Sequence, residues 1–201
     1  MEVDKKRARR EGAWIVIIDE SGAMLAPLVK RTLAPIGHTP VIRQRAKHRQ
    51  KISMIAALTC SPVRRRLRLY FGLHKNLSFN SQRVRWFLGE LLQHIKGKLF
   101  VIWDNGMMHK GPVIRQLLTR TRRIELFALP PYAPDCDPVE PLWSTLKAHR
   151  MANYIPKSVH ALYRTARMHL ADLGKDQNAL ASCFKASRLG LPRLPYKTLA
   201  R

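Results

Sequence analysis

The sequence predicts an α/β domain: a mixed five-stranded sheet, part antiparallel meander and part parallel strands, flanked by helices. Three observations carry this. Five short runs, at 14–18, 52–59, 67–71, 98–103 and 124–129, are apolar and rich in β-branched or aromatic residues, the composition of strands covered by other elements. Helical periodicity appears between the third and fourth runs and again after the fifth. Two of the runs end in an acid, IVIID at Asp19 and LFVIWD at Asp104, where packing gives no reason for one. At 201 residues and 46% apolar content, the chain suits one globular domain with a sizeable core.

Taken in order, residues 1–12 form a basic arm that is expected not to pack, serving as a solvated tail or a phosphate contact. The run at 14–18 reads as a central strand with Asp19 at its exit. Strand alternation turns Glu20 to the opposite face, so Asp19 is the candidate metal ligand and Glu20 a structural or outer-sphere acid. Ser21-Gly22 marks a turn, and 24–42 alternates β-prone pieces with breakers around GHTP, which reads as hairpin structure. Residues 43–51 carry Arg43, Arg45, Lys47, Arg49 and Lys51, an exposed charged loop or, beside an acidic site, a DNA rail.

The strands at 52–59 and 67–71 are separated by Arg64, Arg65 and Arg66, a further candidate DNA contact, and complete the meander with the first strand. From 79 to 95 the positions Val84, Phe87, Leu88, Leu91, Leu92 and Ile95 make one apolar helical stripe. The strand at 98–103, reached through that helix, runs parallel to the first. Neighbouring parallel strands lie about 4.8 Å apart, which puts Asp19 and Asp104 on adjacent strand ends. Asn105 and His109 follow, His109 reading as a contact to the reacting strand or as a cap. Pro112 starts a helix carrying Val113, Ile114, Leu117 and Leu118, and 124–129 is the last strand.

A third acid, Glu140, stands where the proline-stiffened loop of LPPYAPDCDPVEPLWSTLK turns into a helix. Asp137 and Glu140 have the spacing of an N-cap with its N3 glutamate. Pro141 argues against that, because it biases Glu140 away from helical dihedrals and is best placed at N1. Leu142, Trp143 and Leu146 form the core stripe of this helix, while Ser144 and Lys147 share a face with Glu140. Lys147 reads either as a phosphate contact or as a solvated lysine. The interval from Asp104 to Glu140 holds one helix, one strand and one loop, so the fold can bring the acids together. Three acids on three element ends suggest a divalent-metal site. After this block a helical stripe runs through Val159, Leu162, Tyr163, Ala166 and Leu170 with Ser158 as its cap. The domain is therefore drawn at 13–172, with 173–201 as a basic, poorly ordered tail.

Charge is the strongest compositional signal: 37 Lys and Arg against 13 Asp and Glu leave a formal +24. Such a chain repels itself unless it meets a polyanion, so a nucleic acid is the expected partner. The three cysteines, Cys60, Cys136 and Cys183, have no CxxC spacing and read as reduced thiols. No apolar run reaches the roughly 18 residues of a membrane helix, and MEVDKKRARR has no apolar stretch behind its charges. A cytoplasmic, nucleoid-associated protein of bacterial type is expected.

WIVIIDESG, LAPIGHTPV, WDNGMMHK and LPPYAPDCDPVEPLWSTLK, in that order over about residues 14–150, resemble the successive blocks of a DDE transposase of the mariner and insertion-sequence (IS-six-thirty) superfamily. The resemblance implies an RNase H-like fold of the integrase type, two magnesium or manganese ions, and DNA strand cleavage followed by strand transfer. It implies Asp19, Asp104 and Glu140 as catalytic metal ligands, with Asn105, His109 and Lys147 as outer-sphere or substrate-positioning residues. The family usually has tryptophan where Leu33 stands and asparagine where Asp137 stands; an added charge at 137 would tighten metal binding or spoil its geometry. A homodimer acting on transposon ends and target DNA is expected. Because the family places a helix-turn-helix region before the first acid, and only 18 residues precede Asp19 here, that portion is expected to be separately encoded or frameshift-joined. The alternative is a catalytically inactive or truncated remnant that only binds DNA or dimerises.

Overall fold

The computed structural model describes residues 5–26, 28–41, 43, 50–62, 66–104, 106, 111–129 and 134–189. Its centre is a five-stranded sheet of order β3-β2-β1-β4-β5. The strands are β1 (Trp14–Met24), β2 (Lys51–Cys60), β3 (Leu67–Lys75), β4 (Leu99–Trp103) and β5 (Ile124–Ala128). The first three pair antiparallel, and β4 and β5 continue from β1 in parallel. Among the described residues no helix is long and apolar enough to cross a membrane.

Strand alternation sorts the core into two layers. Val16, Ile18, Ile55, Val101 and Trp103 face α2 (Ser81–His94) and α3 (Pro112–Arg120). Ile17, Met54, Leu58 and Ile102 face α4 (Val139–Ser144), α5 (Val159–Lys175) and α6 (Gln177–Ala186). Each long helix starts where its polar residues predict. Asn80 Oδ1 accepts the Arg83 N–H at 3.0 Å, Ser158 Oγ accepts the Ala161 N–H at 3.1 Å, and Pro112 opens α3 behind Gly111.

β1 departs from expectation by running straight through Ser21-Gly22. β2 pairs with it from Ile15 opposite Cys60 to Met24 opposite Lys51, and this continuous ladder overrides the local turn signal. Asp19 is therefore inside β1, not at its exit. The hairpin expected over 24–42 is also absent among the described residues, since 28–41 holds no strand and leaves Leu33 and Ile36 fully exposed.

Both proposed termini of the domain move outward. The basic arm packs as α1 (Lys5–Arg10), laying Ala8, 2% exposed, against Phe100. Arg7 makes a two-pronged pair with Glu125, 2.7 and 2.8 Å, and its Nε donates to Glu11 at 2.6 Å, while Lys98 bridges the two glutamates. An arm that looks solvated from its charge is held because those charges meet acids on the sheet. At the other end α5 passes residue 172, and α6 seats Leu180, Cys183 and Phe184 in the core. Gln177 ties α6 to the start of β3, accepting from the Leu67 N–H at 3.2 Å and donating to its carbonyl at 3.0 Å. The expected disordered tail is thus folded through Leu189, and residues 190–201 lie outside the described set. Phe184→Ala should cost about 3–5 kcal/mol, the usual toll for emptying a phenylalanine from a packed core. A urea midpoint indistinguishable from wild type would return α6 to the status of a tail.

Candidate active site

The parallel register sets the geometry of the first two acids. Trp14 pairs with Leu99 and Ile17 with Ile102, and the same offset carried two residues on brings Asp19 level with Asp104. β4 ends at Trp103, so beyond it the flank of β1 is open at Asp19. Asp104 Oδ1 accepts the Gly106 N–H at 2.9 Å.

The third acid comes from α4, packed across β1. Trp143, 2% exposed, is both the buried anchor of this helix and a ligand of the first acid: its Nε1–H donates to Asp19 Oδ2 at 2.8 Å. Glu140 lies three residues earlier, one turn up the helix and exposed. The helix starts earlier than expected. Pro138 is the N-cap, Glu140 is within the first turn, and Pro141 is third rather than first. Proline is tolerated there because the first four N–H groups of a helix have no partner inside it.

Asp137 does cap, through Oδ1 accepting the Val139 N–H at 2.7 Å, and it is only 6% exposed. Burial pushes its carboxyl up to about 7, with repulsion from Asp19 next in weight. Burial likewise raises Asp19 to about 6; the Trp143 N–H offsets part of this, and Glu140 and Asp104 add repulsion. Glu20, on the α2/α3 face of β1, is raised to about 8 by burial and then by Asp19 and Asp104. Burial is thus the main cause in all three, and repulsion among the acids adds to it. Among the described residues no three His, Cys, Asp or Glu side chains are already drawn together as a metal-ligand set. The donor chemistry nevertheless fits a hard divalent cation: carboxylate oxygens, partly buried, repelling each other until a cation intervenes.

Lys147 sits on a wide π-turn, Thr145–Arg150, and its Nζ donates to Ser21 Oγ at 2.6 Å, so it is engaged at β1 rather than free in solvent. Lys51 opens β2 opposite Met24, five residues along β1 from Asp19, and reaches Ser78 Oγ at 3.0 Å; Arg43 is exposed. Arg66 lies elsewhere. Its N–H donates to Ser61 Oγ at 2.9 Å in the turn after Cys60, which pairs with Ile15 at the far end of the sheet from Met24. Asn105, His109, Arg45, Lys47, Arg49, Arg64 and Arg65 lie outside the described residues. Sequence reasoning took Trp143 for core alone; only the closure of α4 onto β1 reveals its bond to Asp19. The three cysteines are free thiols, Cys60 and Cys183 buried.

The titration of Asp137 has a sign that can be tested. Its folded value is raised, so its contribution to stability is full below about pH 4 and is lost as pH rises through about 7. Asp137→Asn keeps the capping oxygen without the charge. Calorimetry in EDTA should find the variant close to wild type at pH 4 and more stable at pH 8, by on the order of 1–4 kcal/mol. A gap that stays constant with pH would mean that Asp137 does not titrate in this range.

A sheet of this order, antiparallel on one flank and parallel on the other, with helices on both faces, is the RNase H-like fold. The chain belongs to the DDE superfamily of endonucleases, whose family model matches residues 14–162. Its fold is that of the mariner Mos1 transposase. The Mos1 paired-end complex with magnesium superposes with a TM-score of 0.66 at 16% identity, covering 92% of this chain and 57% of that one. The corresponding manganese complex gives 0.64 at 19%, covering 90% and 55%. The isolated Mos1 catalytic domain gives 0.57 at 16%, covering 90% and 81%. The chain thus spans about half the length of the whole transposase chains that it matches, and most of the catalytic domain. No curated protein matches it in sequence.

Proposed function

We propose that this chain is the catalytic portion of a mariner-type transposase, cutting DNA strands and joining the freed 3′ ends to target DNA, with Asp19, Asp104 and Glu140 as the ligands of two magnesium or manganese ions. The observation that supports the reading is the register of β1 and β4, which extends to bring Asp19 level with Asp104, combined with the Trp143–Asp19 bond that holds the helix carrying Glu140 against Asp19. When bound, the ions would supply Lewis-acid stabilisation of an in-line displacement at a phosphodiester. Asp19 and Asp104 would present neighbouring oxygens from adjacent strands, and Glu140 would close the site from above. Trp143 positions Asp19 by fixing one of its oxygens. Asn105 and His109 would orient the reacting strand, and the net charge of +24 would hold its phosphates.

The Mos1 chains were solved as complexes with transposon ends and with magnesium or manganese, which supports the same partner and ions here. Self-association accords with the apolar side chains that 28–41 exposes, Leu33, Ile36 and Val41. A separately encoded helix-turn-helix portion, and a place on the bacterial nucleoid, fit the same reading. Supercoiled plasmid incubated with purified protein and manganese should be nicked, and chelation by EDTA should stop it. Nicking that persists in EDTA, or none with either metal, would overturn the proposal.

A further inference from the structure

Beyond Asp19, β1 runs five residues further to Met24, and on its α4/α5 side Asp19 is followed by Ser21 and then Ala23. Against this extension lies a cavity of about 280 Å³ that the reaction as described does not use. Ala23, Met24, Leu28, Met151 and Tyr154 line it, and Lys147 stands beside it. The Lys147 ammonium is held on Ser21 Oγ, 2.6 Å away, between the first acid and the cavity. Asp19 and Ser21 are about 7 Å apart along the strand, the span of one extended nucleotide.

The walls are built rather than incidental. Asn153 takes a left-handed backbone with φ 57 and clamps the outer wall: its N–H donates to Leu28 O at 3.0 Å, its Oδ1 accepts the Lys30 N–H at 2.8 Å, and its Nδ2 donates to Lys30 O at 3.0 Å. The Thr165 hydroxyl donates to the Tyr154 hydroxyl at 3.0 Å and fixes that ring. Met151 closes the π-turn through its N–H to Leu146 O, 2.9 Å, a widened turn of the kind often found at functional sites. Among the described residues the result is an apolar slot with one aromatic wall, two polarisable thioethers and one cation at its lip.

We propose that this cavity is a subsite for one unpaired nucleobase of the DNA strand held at the acids, the base lying against Tyr154 and its phosphate on Lys147. The volume is ample for one base, and the Lys147 ammonium at the lip complements the phosphate that tethers it. The proposal rests on the reading of the chain as a DNA-cutting enzyme, and its test is a binding measurement that needs no cleavage.

Two duplexes are compared in calcium buffer with the full chain: one blunt, the other bearing a short single-stranded overhang that contains 2-aminopurine. Wild type should bind the overhang duplex about tenfold more tightly, the worth of one stacked base, and the probe's fluorescence should be quenched on binding. Ala26→Trp, which fills the cavity from its rim, should abolish both the preference and the quenching. Tyr154→Phe should keep them and Tyr154→Ala should lose them, with melting curves confirming that each variant folds. Equal binding of the two duplexes by wild type, or a preference that survives Ala26→Trp, overturns the proposal. So does a change from dimer to monomer in sedimentation caused by Ala26→Trp, because the slot would then hold a second copy of the chain. A chain that nicks plasmid yet shows no overhang preference loses only this subsite, whereas one that shows the preference without nicking loses only the catalytic reading.

Discussion

Asp104→Asn is expected to reduce metal-dependent plasmid nicking by about a thousandfold or more, roughly 4 kcal/mol of barrier, while leaving the urea midpoint in EDTA unchanged or slightly raised. The size follows from position. Partners that merely orient metal ligands already cost about 10–100-fold when removed. In the proposed site Asp104 is a ligand itself, and the β1–β4 offset carried on sets it level with Asp19 at the open flank of β1. Stability should not fall, because Asp104 is exposed and its charge adds to the repulsion felt by Asp19 and Asp137. Trp143→Phe makes the internal comparison. It keeps the buried ring and deletes only the N–H to Asp19, so it should fall in the 10–100-fold class, with partial recovery at higher manganese. If both variants lose the same small factor, Asp104 is not a ligand.

The strands and the main helices were legible because their signals are redundant. β4 is five consecutive buried apolar residues, and the stripe of α2 repeats through Val84, Phe87, Leu88 and Leu91. The acids were legible for the opposite reason, as polar residues where packing asks for none. What escaped depends on contacts distant in sequence. α1 reads as KKRARR, and only Glu125, more than a hundred residues away, turns its charge into an anchor. The turn signal at Ser21-Gly22 is local and yields to β2, whose pairing partners lie some thirty residues downstream or more. Asp137 and Trp143 were both visible as residues, but burial beside Asp19 and the N–H bond to it are properties of the closed helix, not of spacing. The cavity beside Lys147 has no sequence signature, since Met24, Leu28 and Tyr154 meet only after α5 docks.

DNA binding should be steeply salt-dependent, and the steepness should map to one end of the sheet. A net charge of +24, with nearly three Lys or Arg for every Asp or Glu, leaves an excess of basic residues to meet phosphates. Engagement of about 6–10 phosphates would lower affinity by about 10³–10⁵ between 50 and 200 mM salt, because each neutralised phosphate releases condensed counterion. The register then separates contacts that composition cannot. Lys51 opens β2 opposite Met24, at the end toward Ser21 and the Lys147 bound to it, whereas Arg66 follows Cys60 opposite Ile15 at the other end. Lys51→Ala should therefore reduce the slope of log affinity against log salt by about one, and Arg66→Ala should leave it within error of wild type. Fluorescence anisotropy on a short duplex in calcium measures both slopes without turnover. Equal reductions in the two variants would mean that DNA wraps the whole sheet rather than crossing it at the Lys51 end.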